Sequence, residues 1–110
     1  MKSKIYIAGK VTGEDHLRCA AKFAKAKQEV EALNLTAINP LEVVGTWEIS
    51  WENAMKKCIA ALMQCDAIYL LPDTVESKGA KMELELCAQL GIPMISDSQT
   101  LINYSNGHHL

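Results

Sequence analysis

The chain has 110 residues, 49% of them hydrophobic and 22% charged, which is the size and composition of one soluble domain, 1–110, built on one core. Its 11 basic and 13 acidic residues leave a formal charge of −2 without any run of like charge, which argues against the partners that such runs mark, nucleic-acid polymers and anionic membranes. No apolar run approaches the roughly 18 residues of a membrane span, and Met1-Lys2-Ser3-Lys4 leads straight into a strand-like run with no signal-peptide core, so a cytoplasmic protein is expected.

In chain order, Lys4-Ile5-Tyr6-Ile7-Ala8 is a β-rich run closed by Gly9. The loop Gly9-Lys10-Val11-Thr12-Gly13 leads into a helix predicted from about 14 to 33, with Thr12 and Asp15 spaced as a capping box. Leu35 to Ile38 reads as a second strand, stopped by Asn39-Pro40. A helix over 50–64 then precedes a third strand, Ala67 to Leu71, which ends at Pro72-Asp73. A helix over 79–90, stopped by Gly91, and a fourth strand over 92–95 complete the series, while 96–110 is polar and irregular. Near-continuous apolar strands are those covered by helices on both faces. The order β-α-β-α-β-α-β therefore predicts an α/β fold, a three-layer open parallel sheet of flavodoxin-like or Rossmann-like type.

The four cysteines, Cys19, Cys58, Cys65 and Cys87, stand singly in apolar segments, as reduced thiols acting as small core residues do. No spacing predicts a metal site; His108-His109 at the tail is the one histidine pair. Gly9-x-x-x-Gly13 lacks both the dinucleotide fingerprint and the Gly-Lys-Ser/Thr end of a P-loop, so no cofactor, neither NAD nor ATP, is expected. That loop can still offer backbone N–H groups to an anion or a sugar.

One residue is out of place. At about 100° per residue, Glu83 shares a helix face with Ala80, Cys87, Leu84 and Leu90, opposite Lys81, Glu85 and Gln89. A buried lone carboxylate costs several kcal/mol, roughly, unless paired. One reason for it is the helix dipole, since an acid in a first turn gains about 0.3 to 1 kcal/mol. The other is function. A helix after the third strand starts at the carboxyl edge of the sheet, where open α/β folds bind ligands. Gly9, Lys10, Thr12 and Gly13 after strand one, Asn39 after strand two, and Asp73, Glu76, Ser77 and Gly79 after strand three converge on that edge. Asp66 precedes its strand and belongs to the opposite edge. Tyr6 either packs as a strand residue or turns its phenol toward the crevice.

These segments resemble the nucleoside 2-deoxyribosyltransferase superfamily and, more closely, a small family of uncharacterised bacterial and phage proteins described only as a domain of unknown function. The likeness runs from Ile5-Tyr6-Ile7-Ala8-Gly9-Lys10-Val11-Thr12-Gly13 through Asn39-Pro40 to Cys65-Asp66-Ala67-Ile68-Tyr69-Leu70-Leu71-Pro72 and Ser77-Lys78-Gly79-Ala80-Lys81-Met82-Glu83. The resemblance implies that Glu83 is a nucleophile in the first turn of its helix, hydrogen-bonded by Tyr6, and that the substrate is a small-molecule 2-deoxyribonucleoside or its 5′-monophosphate cleaved at the N-glycosidic bond. Asp73, with Glu76 behind it, is the candidate acid for the leaving base. Lys10 and the additional lysines, Lys78 and Lys81, favour a phosphorylated substrate. The resemblance also implies a homo-oligomer, dimer or larger, with Asn103 and Tyr104 as the segment a neighbouring subunit would lend. Trp47 and Trp51, four apart, either wall a base pocket or fill an interface, the interface being favoured. A binding module that senses a nucleotide without turning it over, and a purely structural oligomer, are the alternatives to an enzyme.

Overall fold

The structure, a computed structural model, describes residues 2–107, so His108-His109 lies outside the described residues. Four strands, β1 (Lys4–Ala8), β2 (Thr36–Ile38), β3 (Ala67–Leu70) and β4 (Met94–Ile95), form one sheet in the order β2-β1-β3-β4. Every pairing is parallel, with Ile5 opposite both Ala37 and Ala67 and with Tyr69 opposite Ile95. The helices are α1 (His16–Glu31), α2 (Pro40–Val44), α3 (Trp51–Leu62), α4 (Lys78–Leu90) and α5 (Ser98–Ser105), with a 3-10 helix over Pro72–Glu76. The expected open parallel α/β sheet is the observed one.

The period-2 alternation of strands sorts the core into two layers. Ile5, Ile7, Ala67 and Tyr69 face α1 and α5, packing on Phe23, Val30 and Leu101. Tyr6, Ala8 and Ile68 point the other way, against Cys58 and Leu62 of α3 and Ala80 and Cys87 of α4. Both faces of β1 are thus covered, as its unbroken apolar run requires. Because β1 and β3 are adjacent, the order of connections reverses between them. The carboxyl ends of these two strands flank the switch point at which such sheets open a crevice.

Several boundaries differ from expectation. Helix α1 begins at His16, capped by Asp15, whose Oδ2 accepts the Arg18 N–H at 3.0 Å; Thr12 is not a cap, because Gly13 at φ +81° turns the chain between them. Asn39-Pro40 ends β2 as expected and also starts α2: Asn39 Oδ1 accepts the Leu41 N–H at 3.0 Å and Pro40 fills the first helical position. The stretch 96–110 contains α5, capped by Asp97 and anchored by the buried Leu101 and Tyr104. Its apolar spacing of three and its cap are short signals that polar neighbours hide. Asp66 sits at the amino edge as expected, its Oδ2 accepting the Lys4 N–H at 2.8 Å. Among the described residues, no helix is long and apolar enough to cross a membrane.

Candidate functional site

A cavity of about 480 Å³ opens at the carboxyl edge beside the switch point. Its walls come from the β1–α1 loop with the first turn of α1, from α2 and the α2–α3 connection, from α3, and from the N-terminal half of α4. Two close approaches shape it. Gly9 lets the chain leave β1 against the 3-10 helix: a Cβ there would lie 3.0 Å from Leu71 Cδ1, 3.1 Å from Asp73 Oδ1 and 3.2 Å from Phe23 Cζ. Gly79 lets α4 lie against α3, where a Cβ would come within 2.8 Å of Met55 Sδ. Thr74, buried beneath, donates its hydroxyl to Leu71 O at 2.7 Å and holds the 3-10 helix to the end of the sheet.

Tyr6 and Glu83 meet in this cavity. Tyr6 projects from β1 toward α4 because even-numbered β1 positions face that layer, and its Oη donates to Glu83 Oε2 at 2.7 Å. Glu83 is only 5% exposed, yet it lines the cavity. Its Oε1 has no hydrogen bond within the described residues, and no fully buried side-chain oxygen or nitrogen there lacks a partner, so Oε1 is the oxygen turned to the open space. Burial pushes the Glu83 carboxyl up to about 7, against the opposing effect of the Tyr6 hydrogen bond. Burial first and then the Glu83 charge drive the Tyr6 phenol far above its ordinary value, so Tyr6 remains a donor. Glu83 is the sixth residue of α4, which begins at Lys78 behind the Ser77 cap. It therefore stands in the second turn, past the free N–H groups of the first, and the expected first-turn placement is corrected.

Of the residues expected at the site, Tyr6, Gly9, Thr12, Gly13, Ser77, Gly79 and Glu83 line the cavity, and Lys10, Asn39, Asp73 and Glu76 do not. Asn39 is spent on the α2 cap. Asp73, expected as the acid, faces the α1 side: Oδ1 accepts the Lys10 N–H at 3.0 Å and Oδ2 takes Lys22 Nζ at 2.6 Å. Burial alone would raise the Asp73 carboxyl, but the Lys22 and Lys10 hydrogen bonds outweigh it and hold the group below its ordinary range. Through these bonds Asp73 ties the 3-10 helix to the β1–α1 loop and to α1.

The cavity also uses residues that the sequence reading left out of the site or read as the less favoured of two roles. Cys58, expected as a small core residue, lines it beside the Tyr6 phenol; burial pushes its thiol up, the Tyr6 hydrogen bond opposes, and the Glu83 charge adds to the rise. Trp47 and Trp51 both line it, although they do not share a helical face: Trp51 opens α3, and Trp47 lies in the connection before it. Lys78 Nζ stands 4.3 Å from the centre of the Trp51 ring. Glu14 and His16 line the cavity from the β1–α1 side. Tyr104, on α5, is buried within its own chain and borders a depression with Lys2, Ser3 and Leu35 at the amino edge. Among the described residues, no group of three or more His, Cys, Asp or Glu is placed to hold a metal.

Fold and site together define a doubly wound α/β protein with a carboxylate–phenol pair in a cavity at its switch point. The chain belongs to the family described as "Domain of unknown function (DUF4406)", whose profile matches residues 3–96. It is also similar in structure to the 2-deoxyribosyltransferase of the psychrotolerant bacterium Bacillus psychrosaccharolyticus, at 24% identity and a TM-score of 0.64, over 94% of this chain and 82% of that one. That likeness extends the fold assignment to a solved protein. No curated protein sequence matches the chain.

Proposed function

We propose that the protein cleaves the N-glycosidic bond of a 2-deoxyribonucleoside, passing the deoxyribosyl group to water or to a second base, with Glu83 as nucleophile. The observation that carries this is the 2.7 Å bond from Tyr6 Oη to Glu83 Oε2, which leaves Oε1 turned into a cavity large enough for such a ligand. The carboxylate attacks the anomeric carbon as the bond to the base breaks; the base leaves with the electron pair of that bond and takes a proton, and the glycosyl ester on Glu83 is then opened by water or another base. Tyr6 fixes the carboxylate and cannot itself supply the proton. Of the other lining groups, Cys58 keeps its proton beside the Tyr6 phenol, burial pushing its thiol up. The solved 2-deoxyribosyltransferase with the same fold supports this choice of chemistry.

The charge of the cavity favours a bare nucleoside over its monophosphate. Among the described residues, no Lys or Arg lines it, whereas Glu14 and Glu83 do. Lys22 is bound to Asp73, and Lys78 lies over Trp51. A phosphate dianion there would meet Glu83 and Glu14, the latter paired with Lys22 at 3.6 Å, with no Lys or Arg in the cavity wall to hold it. The second reading, a binding module without turnover, is favoured by Glu83 itself, which is about half neutral near pH 7 and then donates a hydrogen bond to a ligand.

Incubation with a panel of 2-deoxynucleosides and their 5′-monophosphates, with and without a free acceptor base, separates the readings by chromatography. Base release or exchange that vanishes in Glu83→Ala supports the enzyme. Ligand-dependent thermal stabilisation without any product supports the binding module.

A further inference from the structure

Two aromatic rings close on each other at the rim of the cavity. His16, the first residue of α1, and Trp47, in the α2–α3 connection, stack with centroids 4.0 Å apart and planes 6° apart. Both line the cavity, His16 is exposed, and Trp47 keeps 43% of its surface in solvent. Each ring follows closely on a glycine at positive φ, Gly13 at +81° and Gly45 at +78°, so each hangs from a turn and not from the interior of an element. Near Gly13 a Cβ would meet nothing within 4 Å, so the turn that carries His16 has open space beside it. The stack is thus a contact between the start of α1 and the α2–α3 connection, two walls of the cavity.

From this we infer that the Trp47 face is the stacking site for the nucleobase, and that His16 occupies it when no ligand is bound. The inference rests on the nucleoside reading above. An imidazole is itself a flat nitrogen heterocycle, and its near-parallel seat on the indole is the face-on arrangement in which a nucleobase stacks on an aromatic side chain. A base entering the cavity exchanges places with His16, so that one stack replaces another and little contact is lost. The half-exposed Trp47 gains burial in the exchange, which the empty site lacks. Loss of the flat partner surface removes roughly five- to a hundredfold in affinity, the usual effect of deleting one base–aromatic stack. Loss of His16 does the opposite, because a self-occupied site lowers apparent affinity by the fraction of time it is filled.

The test is calorimetric titration of the native protein, Trp47→Leu, Trp47→Phe and His16→Ala with the four common 2-deoxynucleosides. Trp47 and His16 are on the surface, and thermal midpoints within a few degrees of native verify that the variants fold. Expected are native binding of at least one nucleoside, a loss of fivefold or more in Trp47→Leu that is largely restored in Trp47→Phe, and unchanged or tighter binding in His16→Ala. Native binding with a loss below fivefold in Trp47→Leu, or with weaker binding in His16→Ala, overturns the stacking exchange and leaves the nucleoside reading standing. Failure of the native protein to bind any nucleoside overturns both.

Discussion

Replacing Glu83 by Gln should make the protein more stable, and more so the higher the pH. In the folded chain, burial raises the carboxyl from its ordinary 4.5 to about 7. Between those values the unfolded chain has lost a proton that the folded chain still holds, so native stability falls as pH rises through this window and then levels off above 7. At about 1.4 kcal/mol per tenfold change in the proton equilibrium, the loss is about 3 kcal/mol once the window has been crossed. Gln has the same shape, keeps an oxygen for the Tyr6 hydroxyl, and does not titrate, so it escapes the loss. Other groups titrate alike in both proteins and cancel in the difference. Thermal melts of the two proteins from pH 4 to pH 8.5 should coincide near pH 4 and separate to about 12 °C at pH 8, at about 4 °C per kcal/mol for a chain of this size. A Gln variant less stable by the same amount at every pH would refute the reasoning, because it would make the carboxylate a structural partner instead of a group strained for chemistry.

Removing the Tyr6 hydroxyl should act on the same carboxylate: Tyr6→Phe takes away the hydrogen bond that opposes burial, so the rising limb of activity against pH moves upward and stability at pH 8 falls by roughly 1–3 kcal/mol. Asp73→Asn should lower the melting temperature, since Lys22 and the Lys10 N–H lose a charged acceptor, yet leave the pH profile of turnover unchanged; a lost limb in that profile would restore Asp73 as the acid. Gly9→Ala should cost roughly 1–3 kcal/mol in chemical denaturation, because the added methyl meets buried atoms of Leu71, Asp73 and Phe23 at once. Gly79→Ala should instead leave stability within about 1 kcal/mol of native, as the helix gain offsets the shift of the flexible Met55, and weaken ligand binding by pushing Met55 at the cavity wall.

The fold was legible because its strands are unmixed: Ile5 to Ala8 and Ala67 to Leu71 have apolar residues on both faces, which only a sheet covered twice requires. The inward Glu83 was legible for a related reason, since helical periodicity placed a charge among Ala80, Cys87 and Leu84, and the structure buries it. Tyr6 carried no such sign, because a tyrosine in a strand is ordinary and its partner lies 77 residues away. Asp73 follows β3 at the carboxyl edge, but position along the chain does not tell which face of the sheet a side chain takes, and in the structure it pairs with Lys22 of α1. The aromatic side of the site was half legible: Trp47 and Trp51 were read as walling a base pocket or filling an interface, with the interface favoured, and both line the cavity. Trp47 and Trp51 reach the same cavity through a turn at Gly45 that no helical spacing describes, and Cys58 looks like any small core residue until Tyr6 is placed beside it.

The central claim, that Glu83 forms a bond to the sugar, is tested most directly by intact-protein mass measurement of a rapidly quenched reaction with a 2-deoxynucleoside and no acceptor base, followed by peptide mapping. The account predicts an added deoxyribosyl mass that maps to the peptide containing Glu83, decays as free base accumulates, and is absent from Glu83→Gln. Base release at a normal rate from Glu83→Gln, or an adduct on another residue, would contradict it.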